Sequence, residues 1–243
     1  KNFSAVMLGY YTRADQMGQF PSQNIAGILS RVTYPILSQF QDDANTLRNV
    51  YIKYLQLSCF VVFPLMMSLA AIAKPLIILL LGEKWEASVI LLQILCFGLM
   101  LDPICNINLN LLLVKGRSDL FLKLEIIKKT IAVLILIASL QFGLIGICIG
   151  RVLYGIIATL LNMTYTNRFI DLSMWKQIKL LLPSLLLSLI MAAGVYTITQ
   201  TNLNGGLQLT VGLVTGLILY LIPAWIFKVE ALTYIFKMLK TNE

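Results

Sequence analysis

The runs IAVLILIASL (131–140) and LLPSLLLSLIMAAGVYTI (181–198) contain no charged residue, and they decide the fold class. Their apolar residues are continuous rather than alternating with polar ones, which argues against the strands of a membrane barrel. A helix of roughly 20 apolar residues crosses the hydrocarbon of a bilayer and satisfies its own backbone hydrogen bonds there. Both runs therefore predict transmembrane helices.

The composition extends this prediction to the whole chain. Of its 243 residues, 58% are apolar and 12% are charged, and the mean hydropathy is +0.84, whereas soluble domains carry about 25% charged residues. We predict an all-α integral membrane protein, a polytopic helical bundle. A window of about 19 residues places its seven transmembrane helices near 4–37, 52–73, 87–113, 119–140, 144–166, 178–199 and 207–227.

Lysine and arginine lie mostly on one side of these spans. Thirteen of the 19 fall in or beside the loops 38–51, 114–118 and 167–177 or in the C-terminal tail, while three lie on the opposite side and three inside spans. Because cytoplasmic loops carry the excess of positive charge, we predict a cytoplasmic C-terminus, with the loops 74–86 and 199–206 outside. This asymmetry accounts for the net charge of +8, so nucleic acid is not expected as a partner.

Two shorter segments have their own predictions. The stretch KPLIILLLGEKW (74–85) is too short to cross the membrane, and it predicts a short helix or re-entrant piece at the outer interface. The stretch QDDANTLRN (41–49) predicts a turn and a helix cap rather than a metal site.

Polar residues inside the spans form stripes on helix faces. In the first span, Pro21 is expected to kink the helix or break its register, and a 100° arc, about one helix face, holds Arg13, Gln16, Gln23, Asn24, Gly27 and Arg31. In the third span, Asp102, Asn106 and Asn110 recur at every fourth residue. In the fifth span, one face carries Arg151, Tyr154, Asn162 and Tyr165.

Charges inside a bilayer are costly unless they face a cavity or a partner. The stripes therefore predict a hydrated cavity between helices, with hydrogen bonding across helix contacts as the alternative, strongest for the amides. The substrate-cavity candidates are Arg13, Gln16, Asn24, Arg31, Asp102, Asn106, Asn110, Arg151, Tyr154 and Asn162. Asp102 is also a candidate for proton or sodium coupling. Glu125, Lys128 and Lys129 predict a solvated helix end, with the lining of a vestibule as the alternative.

Catalytic and metal-binding patterns are missing from the sequence. Histidine is absent, and there is no glycine-rich phosphate loop or nucleophile motif. The four cysteines, which are interpreted as packing residues without metal-ligand spacing, are Cys59, Cys96, Cys105 and Cys148. We therefore predict a protein that is not an enzyme and that has no cofactor or metal.

Three stretches carry a resemblance to a known family. LGYYTRADQMGQFPSQNIAGILSRVTYPILSQFQDD (8–43), PLIILLLGEKW (75–85) and KGRSD (115–119) resemble the C-terminal half of bacterial polysaccharide flippases. These are the Wzx type within the multidrug/oligosaccharidyl-lipid/polysaccharide exporter superfamily. The resemblance covers nearly the whole chain and is most specific in the first 120 residues.

The resemblance implies two six-helix lobes around a cavity that opens alternately to each side, often with two extra C-terminal helices. On that map, residues 1–170 form the C-terminal lobe without its first helix, and residues 171–243 form the two extra helices and a cytoplasmic tail. The implied function is flipping of undecaprenyl-pyrophosphate-linked oligosaccharide across the bacterial plasma membrane. The glycan would be destined for O-antigen, capsule or exopolysaccharide, and a polysaccharide polymerase and other export proteins would be partners.

Three alternatives stand beside this interpretation. A cation-coupled drug antiporter of the same superfamily would have a smaller cavity, richer in acids than one with Asp102 alone. A membrane polymerase or ligase would need larger outer loops than this chain has. A purely structural subunit would leave the polar stripes unexplained.

Overall fold

A computed structural model of the chain describes residues 4–201 and 204–234. Within these ranges the secondary structure is helical and includes no strand. The helices are α1 (Ala5–Gln39), α2 (Ala44–Ala71), α3 (Ala73–Leu81), α4 (Ala87–Leu99), α5 (Asp102–Val114), α6 (Ser118–Ser139), α7 (Gly143–Ile170), α8 (Met174–Thr199) and α9 (Gly205–Ile226). The predicted all-α fold class is confirmed.

Among the described residues, five segments are long and apolar enough to cross a membrane. They are Ala44–Ala71, Ala87–Val114, Ser118–Ile170, Met174–Thr199 and Gly205–Ile226. The third has 53 residues and contains both α6 and α7, which meet at a short 3-10 turn over Leu140–Phe142. Helix α1 falls outside this set although it has 35 residues, because its polar stripe lowers its hydropathy. The number of spans therefore stays a prediction.

The predicted span 87–113 corresponds to the candidate span Ala87–Val114, but it is divided into two helices, because α4 ends at Leu99 and α5 begins at Asp102. Pro103 explains the break, since a proline has no N–H to donate to the carbonyl four residues earlier. That carbonyl belongs to Leu99, and it instead accepts a 2.8 Å hydrogen bond from the buried hydroxyl of Ser22 in α1. The chain thus satisfies a backbone group that would be costly in a membrane.

Helix α1 packs through its smallest residues. Ala14, Gly18, Ser22 and Ala26 recur at every fourth position, and all four are buried against α4 and α5. Small side chains let helix backbones approach closely in membranes. The helix continues through Pro21 without ending.

The remaining helices surround α2 and α4. The helix α4 packs against α7, α7 packs against α6, and α2 packs against α8, which in turn carries α9. Side chains of α2 and α4 supply much of the core, including Tyr51, Phe63, Met66, Leu92 and Leu95. The division into residues 1–170 and 171–243 stays a prediction, although α8 packs directly on the lobe.

The structure contains the predicted short helix and the predicted helix cap, while the position of the short helix at the outer interface stays a prediction. Helix α3 is the short helix expected before Trp85. Its C-cap is Gly82, whose φ of 88° is a backbone conformation that glycine adopts readily. Asp43 caps α2 by accepting hydrogen bonds of 3.0 and 3.2 Å from the backbone N–H groups of Asn45 and Thr46. The Thr46 hydroxyl also donates to this carboxylate, and together these bonds hold the pKa of Asp43 below its usual value.

Candidate functional site

A polar cleft of about 550 Å³ opens between α1, α5, α6 and α7. Its polar and charged lining residues are Gln23, Ser30, Asp102, Cys105, Asn106, Glu125, Lys128, Lys129, Arg151 and Tyr154. Three cations and two carboxylates therefore meet in a space between helices that are otherwise apolar. Charges in this setting mark pathways or binding sites for polar ligands.

The break between α4 and α5 places Asp102 in the cleft. The carboxylate lies in the first turn of α5, where the partial positive charge of a helix N-terminus favours an anion. The nearby Gly98 and Gly155 bring α4 and α7 close together, since a Cβ added to Gly155 would stand 3.2 Å from the carbonyl oxygen of Gly98. This close approach holds Arg151, one turn before Gly155, opposite Asp102.

Arg151 and Asp102 form an ion pair through a single nitrogen. Nη2 of Arg151 lies 2.9 Å from Oδ1 and 2.8 Å from Oδ2 of Asp102, and the two side chains are 25% and 31% exposed. The guanidinium also lies over the ring of Tyr154, with its central carbon 5.6 Å from the ring centroid. Nη1 is buried and has no hydrogen-bond partner among the described residues. Arg151 therefore keeps donor capacity for a further anionic group.

A second ion pair lies in the same cleft on α6. Lys128 pairs with Glu125, and the Lys128 side chain is only 5% exposed. The prediction of a solvated helix end is therefore wrong for Lys128, and the alternative of a lined vestibule agrees with the structure. The helical spacing identified the pair, but it did not reveal that α7 and α5 would enclose it.

The polar stripe of α1 lies on the surface of the lobe. Its members Arg13, Gln16, Gln23, Asn24, Gly27 and Arg31 are all exposed. Only its middle, at Gln23 and Gly27, also lines the cleft. No described helix covers the rest of that face, so for Arg13, Gln16, Asn24 and Arg31 the place in a cavity stays a prediction.

The outer end of the stripe has local partners. Arg13 donates a 3.2 Å hydrogen bond to Gln16 and lies 5.8 Å from the ring centroid of Trp85. Trp85 in turn makes an edge-to-face contact with Tyr10 at 5.7 Å. Asp15 points elsewhere and accepts a 2.7 Å hydrogen bond from Gln19.

The stripes on α5 and α7 are divided between the cleft and the interior. Asp102, Asn106, Arg151 and Tyr154 line the cleft, whereas Asn162 is fully buried. Asn110 is half-buried, and its amide nitrogen has no partner among the described residues. A helical wheel places Asn162 on the same face as Arg151, but neighbouring helices cover that part of the face. In this conformation the Asn162 side chain therefore cannot contact a substrate.

The sequence analysis missed a second, buried polar cluster. The hydroxyl of Tyr51 lies 2.9 Å from Oδ1 of Asn108 and 2.9 Å from Oε1 of Gln177. The Thr166 hydroxyl lies 2.6 Å from the same Asn108 oxygen. This cluster joins α2, α5, α7 and α8. Asn108 is an amide inside an apolar span, but it does not share the spacing of Asp102, Asn106 and Asn110, so the helical pattern did not identify it.

In the described part of the chain, no group of three or more acidic or Cys side chains is placed to hold a metal ion. Cys59, Cys96 and Cys148 are buried, in agreement with a packing role, while Cys105 is half-buried beside the cleft.

The long apolar helices define a multi-pass membrane protein, and their arrangement is that of a known fold. A solved structure, "Lipid II flippase MurJ, inward closed conformation", has the same fold with a TM-score of 0.75. It is 21% identical, and the match covers 91% of this chain and 47% of MurJ. Residues 1–90 match the family described as "Polysaccharide biosynthesis protein".

Two curated relatives support the same family. The lipopolysaccharide biosynthesis protein WzxC of Escherichia coli K12 is 30% identical over 193 residues, 76% of this chain and 39% of WzxC. A membrane protein in the cps region of Klebsiella pneumoniae is 31% identical over 159 residues, 65% of this chain and 33% of that protein. The resemblance to the Wzx-type polysaccharide flippases is confirmed. The chain spans less than half the length of these relatives.

Proposed function

We propose that this chain works as part of a flippase for lipid-linked oligosaccharide in the biosynthesis of a cell-surface polysaccharide. The observation that carries the proposal is the charged cleft next to the exposed polar stripe of α1. In this cleft a buried nitrogen of Arg151 has no hydrogen-bond partner in the part of the chain that the structure describes. The name of MurJ as a lipid II flippase and the name of WzxC as a lipopolysaccharide biosynthesis protein support the same class of substrate.

The chemistry of the site suits such a substrate. A pyrophosphate is anionic, and guanidinium groups match phosphate oxygens with several parallel hydrogen bonds. We assign this role to Arg13, Arg31 and Arg151. The amides of Gln16, Asn24 and Asn106 offer both donors and acceptors to sugar hydroxyls. The polyprenyl chain would stay in the bilayer, so only the polar head group needs a protein path.

The exposed stripe on α1 suggests how transport takes place. A polar face that none of this chain's described helices covers suits the wall of a cavity shared with a second lobe. Rocking of one lobe against the other would open that cavity to each side in turn. We propose that this occurs in the bacterial plasma membrane with a cytoplasmic C-terminus, that no catalytic site is involved, and that export-pathway proteins such as a polymerase receive the product. Proton or sodium binding at Asp102 would drive the cycle.

The test uses the full-length protein with Arg151→Ala and, as a control on the same helix, Arg168→Ala. Arg168 is exposed and stacks on Tyr165 with 5.2 Å to the ring centroid, away from the cleft. A hydrogen bond to a charged group contributes about 1.5–3 kcal/mol, so Arg151→Ala should lower transport by about 10- to 100-fold. Transport is measured with a labelled undecaprenyl-pyrophosphate oligosaccharide in proteoliposomes and by complementation of a flippase-null strain.

The outcomes of this test distinguish the proposed flippase function from the proposed role of Arg151 in binding. Normal transport by Arg151→Ala at normal protein levels would remove Arg151 from the binding site. A wild-type protein that flips no lipid-linked oligosaccharide would overturn the proposed function.

A further inference from the structure

A largely apolar groove of about 660 Å³ lies between α8 and residues 227–231, which follow α9. Pockets that hold small-molecule ligands have volumes of roughly 300–1,000 Å³. The wall on α8 carries Leu182, Leu186 and Ile190, and the opposite wall carries Phe227, all of which are exposed. Because α8 and α9 are long and apolar enough to cross a membrane, we expect these side chains to contact acyl chains.

Charged side chains line the groove where α8 begins and α9 ends. They are Lys179 in the second turn of α8 and Lys228 and Glu230 after α9, and all three are exposed. From residue 179 to residue 190 the α8 wall is about 16 Å long, at 1.5 Å per helical residue. The groove therefore has a charged end and an apolar length, which is the polarity of a phospholipid.

A buried amide holds the acidic group of the groove in place. Gln56 of α2 lines the groove and is only 9% exposed, and its Nε2 donates a 2.9 Å hydrogen bond to Oε2 of Glu230. The amide oxygen of Gln56 is buried and has no hydrogen-bond partner in the described part of the chain. A donor that enters the groove would satisfy this oxygen, which is costly to leave unpaired.

Lys228 occupies a backbone position at which glycine is the usual residue. Its φ is 50°, its N–H donates to the carbonyl of Trp225 at 3.2 Å, and the N–H of Val229 donates to the carbonyl of Ala224 at 3.0 Å. This pattern ends a helix with a left-handed residue, most often glycine. A lysine is less favourable for the backbone there, and a ligand bound to its ammonium group would offset that cost.

We propose that this groove binds a membrane phospholipid with a primary ammonium head group, of the phosphatidylethanolamine type. The lipid phosphate contacts Lys179 and Lys228, and the lipid ammonium group donates to Glu230 and to the amide oxygen of Gln56. One acyl chain lies along the apolar wall of α8. This inference goes beyond the proposed transport function and does not depend on it.

The charges of the groove favour this head group over its competitors. Lysines near a membrane surface attract anionic lipids, but an anionic head group such as that of phosphatidylglycerol brings no cation to Glu230. Phosphatidylcholine carries the same charges as phosphatidylethanolamine, yet its quaternary ammonium group has no N–H to donate. The polyprenyl chain of a transported lipid would fill the apolar wall and supply no ammonium group.

The test measures lipid binding to the purified full-length protein in detergent by native mass spectrometry. The probes are phosphatidylethanolamine, phosphatidylcholine and phosphatidylglycerol with identical acyl chains, and undecaprenyl phosphate. The variants are Lys179→Gln, Lys228→Gly and Glu230→Gln. Lys123→Gln is the matched control, because Lys123 is exposed on α6 and does not line the groove.

We expect the wild type to bind phosphatidylethanolamine about 10-fold more tightly than phosphatidylcholine, and Glu230→Gln to lower this preference to about 2-fold or less. Lys179→Gln and Lys228→Gly should each weaken the binding of phosphatidylethanolamine by about 5- to 10-fold, while Lys123→Gln leaves it unchanged. Because glycine relaxes the backbone at residue 228, Lys228→Gly without lipid should melt no lower than the wild type, so its loss of binding cannot come from unfolding.

Equal affinity of the wild type for phosphatidylethanolamine and phosphatidylcholine, or tighter binding of phosphatidylglycerol, would overturn the assigned head group. Unchanged binding by both lysine variants would overturn the site. Displacement of phosphatidylethanolamine by an equimolar amount of undecaprenyl phosphate would show that the groove holds a polyprenyl chain, and it would also overturn the inference. None of these results bears on the proposed flippase function, because the experiment measures no transport.

Discussion

The guanidinium of Arg151 uses only one of its three nitrogens for Asp102. The stronger arrangement has two guanidinium nitrogens that each donate to one carboxylate oxygen. In the observed geometry Arg151 is still attracted to Asp102, and it keeps further N–H groups that can donate to another ligand. Such a pair holds the cleft together at rest, and it can be exchanged for an anionic ligand without leaving Arg151 unpaired. We therefore expect this one contact to affect both the stability of the cleft and the proposed transport.

At this scale we predict strong coupling between the two residues. Removing one partner of a fully buried ion pair costs about 3–5 kcal/mol. Because these side chains are 25% and 31% exposed, we expect Asp102→Asn and Arg151→Gln each to cost about 1–3 kcal/mol. The double variant should lose less than the sum of the single losses, as measured by thermal unfolding of the full-length protein in detergent. Additive losses would show that the pair is not coupled.

At the scale of helices, the crossing of α4 and α7 positions the cleft. A Cβ added to Gly98 would stand 3.3 Å from the Arg151 carbonyl oxygen and 3.3 Å from Cα of Val152. These are backbone atoms, which cannot move out of the way separately. Close packing here therefore determines where Arg151 lies relative to Asp102.

We predict that Gly98→Val separates these helices. Overpacking costs about 1–3 kcal/mol, so the variant should melt at a lower temperature and transport less. Gly27→Val is the control for stability, because no atom lies within 4 Å of the position where its Cβ would stand. Equal melting temperatures for Gly98→Val and wild type would contradict the role of this contact.

At the scale of the whole molecule, the asymmetry of lysine and arginine predicts the orientation. In the full-length protein without its native cysteines, Ser118→Cys and Asn204→Cys place thiols at two exposed sites on opposite sides of the membrane. A membrane-impermeant thiol reagent should label Asn204→Cys in intact spheroplasts, and Ser118→Cys only after permeabilisation. The reverse pattern would invert the topology.

Much of the fold was accessible from the sequence because hydropathy is a local property. The apolar runs predicted the helical class, and the predicted spans overrun the observed helices by no more than about two residues, except near Pro103, where α4 and α5 separate. The capping role of Asp43 and the short α3 also followed from local residues. The polar stripes were visible because helical spacing depends only on the order of residues along one helix.

The partners of those stripes depend on contacts between distant segments. Asp102 and Arg151 are 49 residues apart, and their pairing depends on how α5 and α7 cross. The sequence by itself determined the membrane class, the helices and the faces that carry polar groups. Only the tertiary structure decided that α1 exposes its stripe, that Lys128 is enclosed and that Asn162 is buried, because burial depends on which neighbouring helix covers a face.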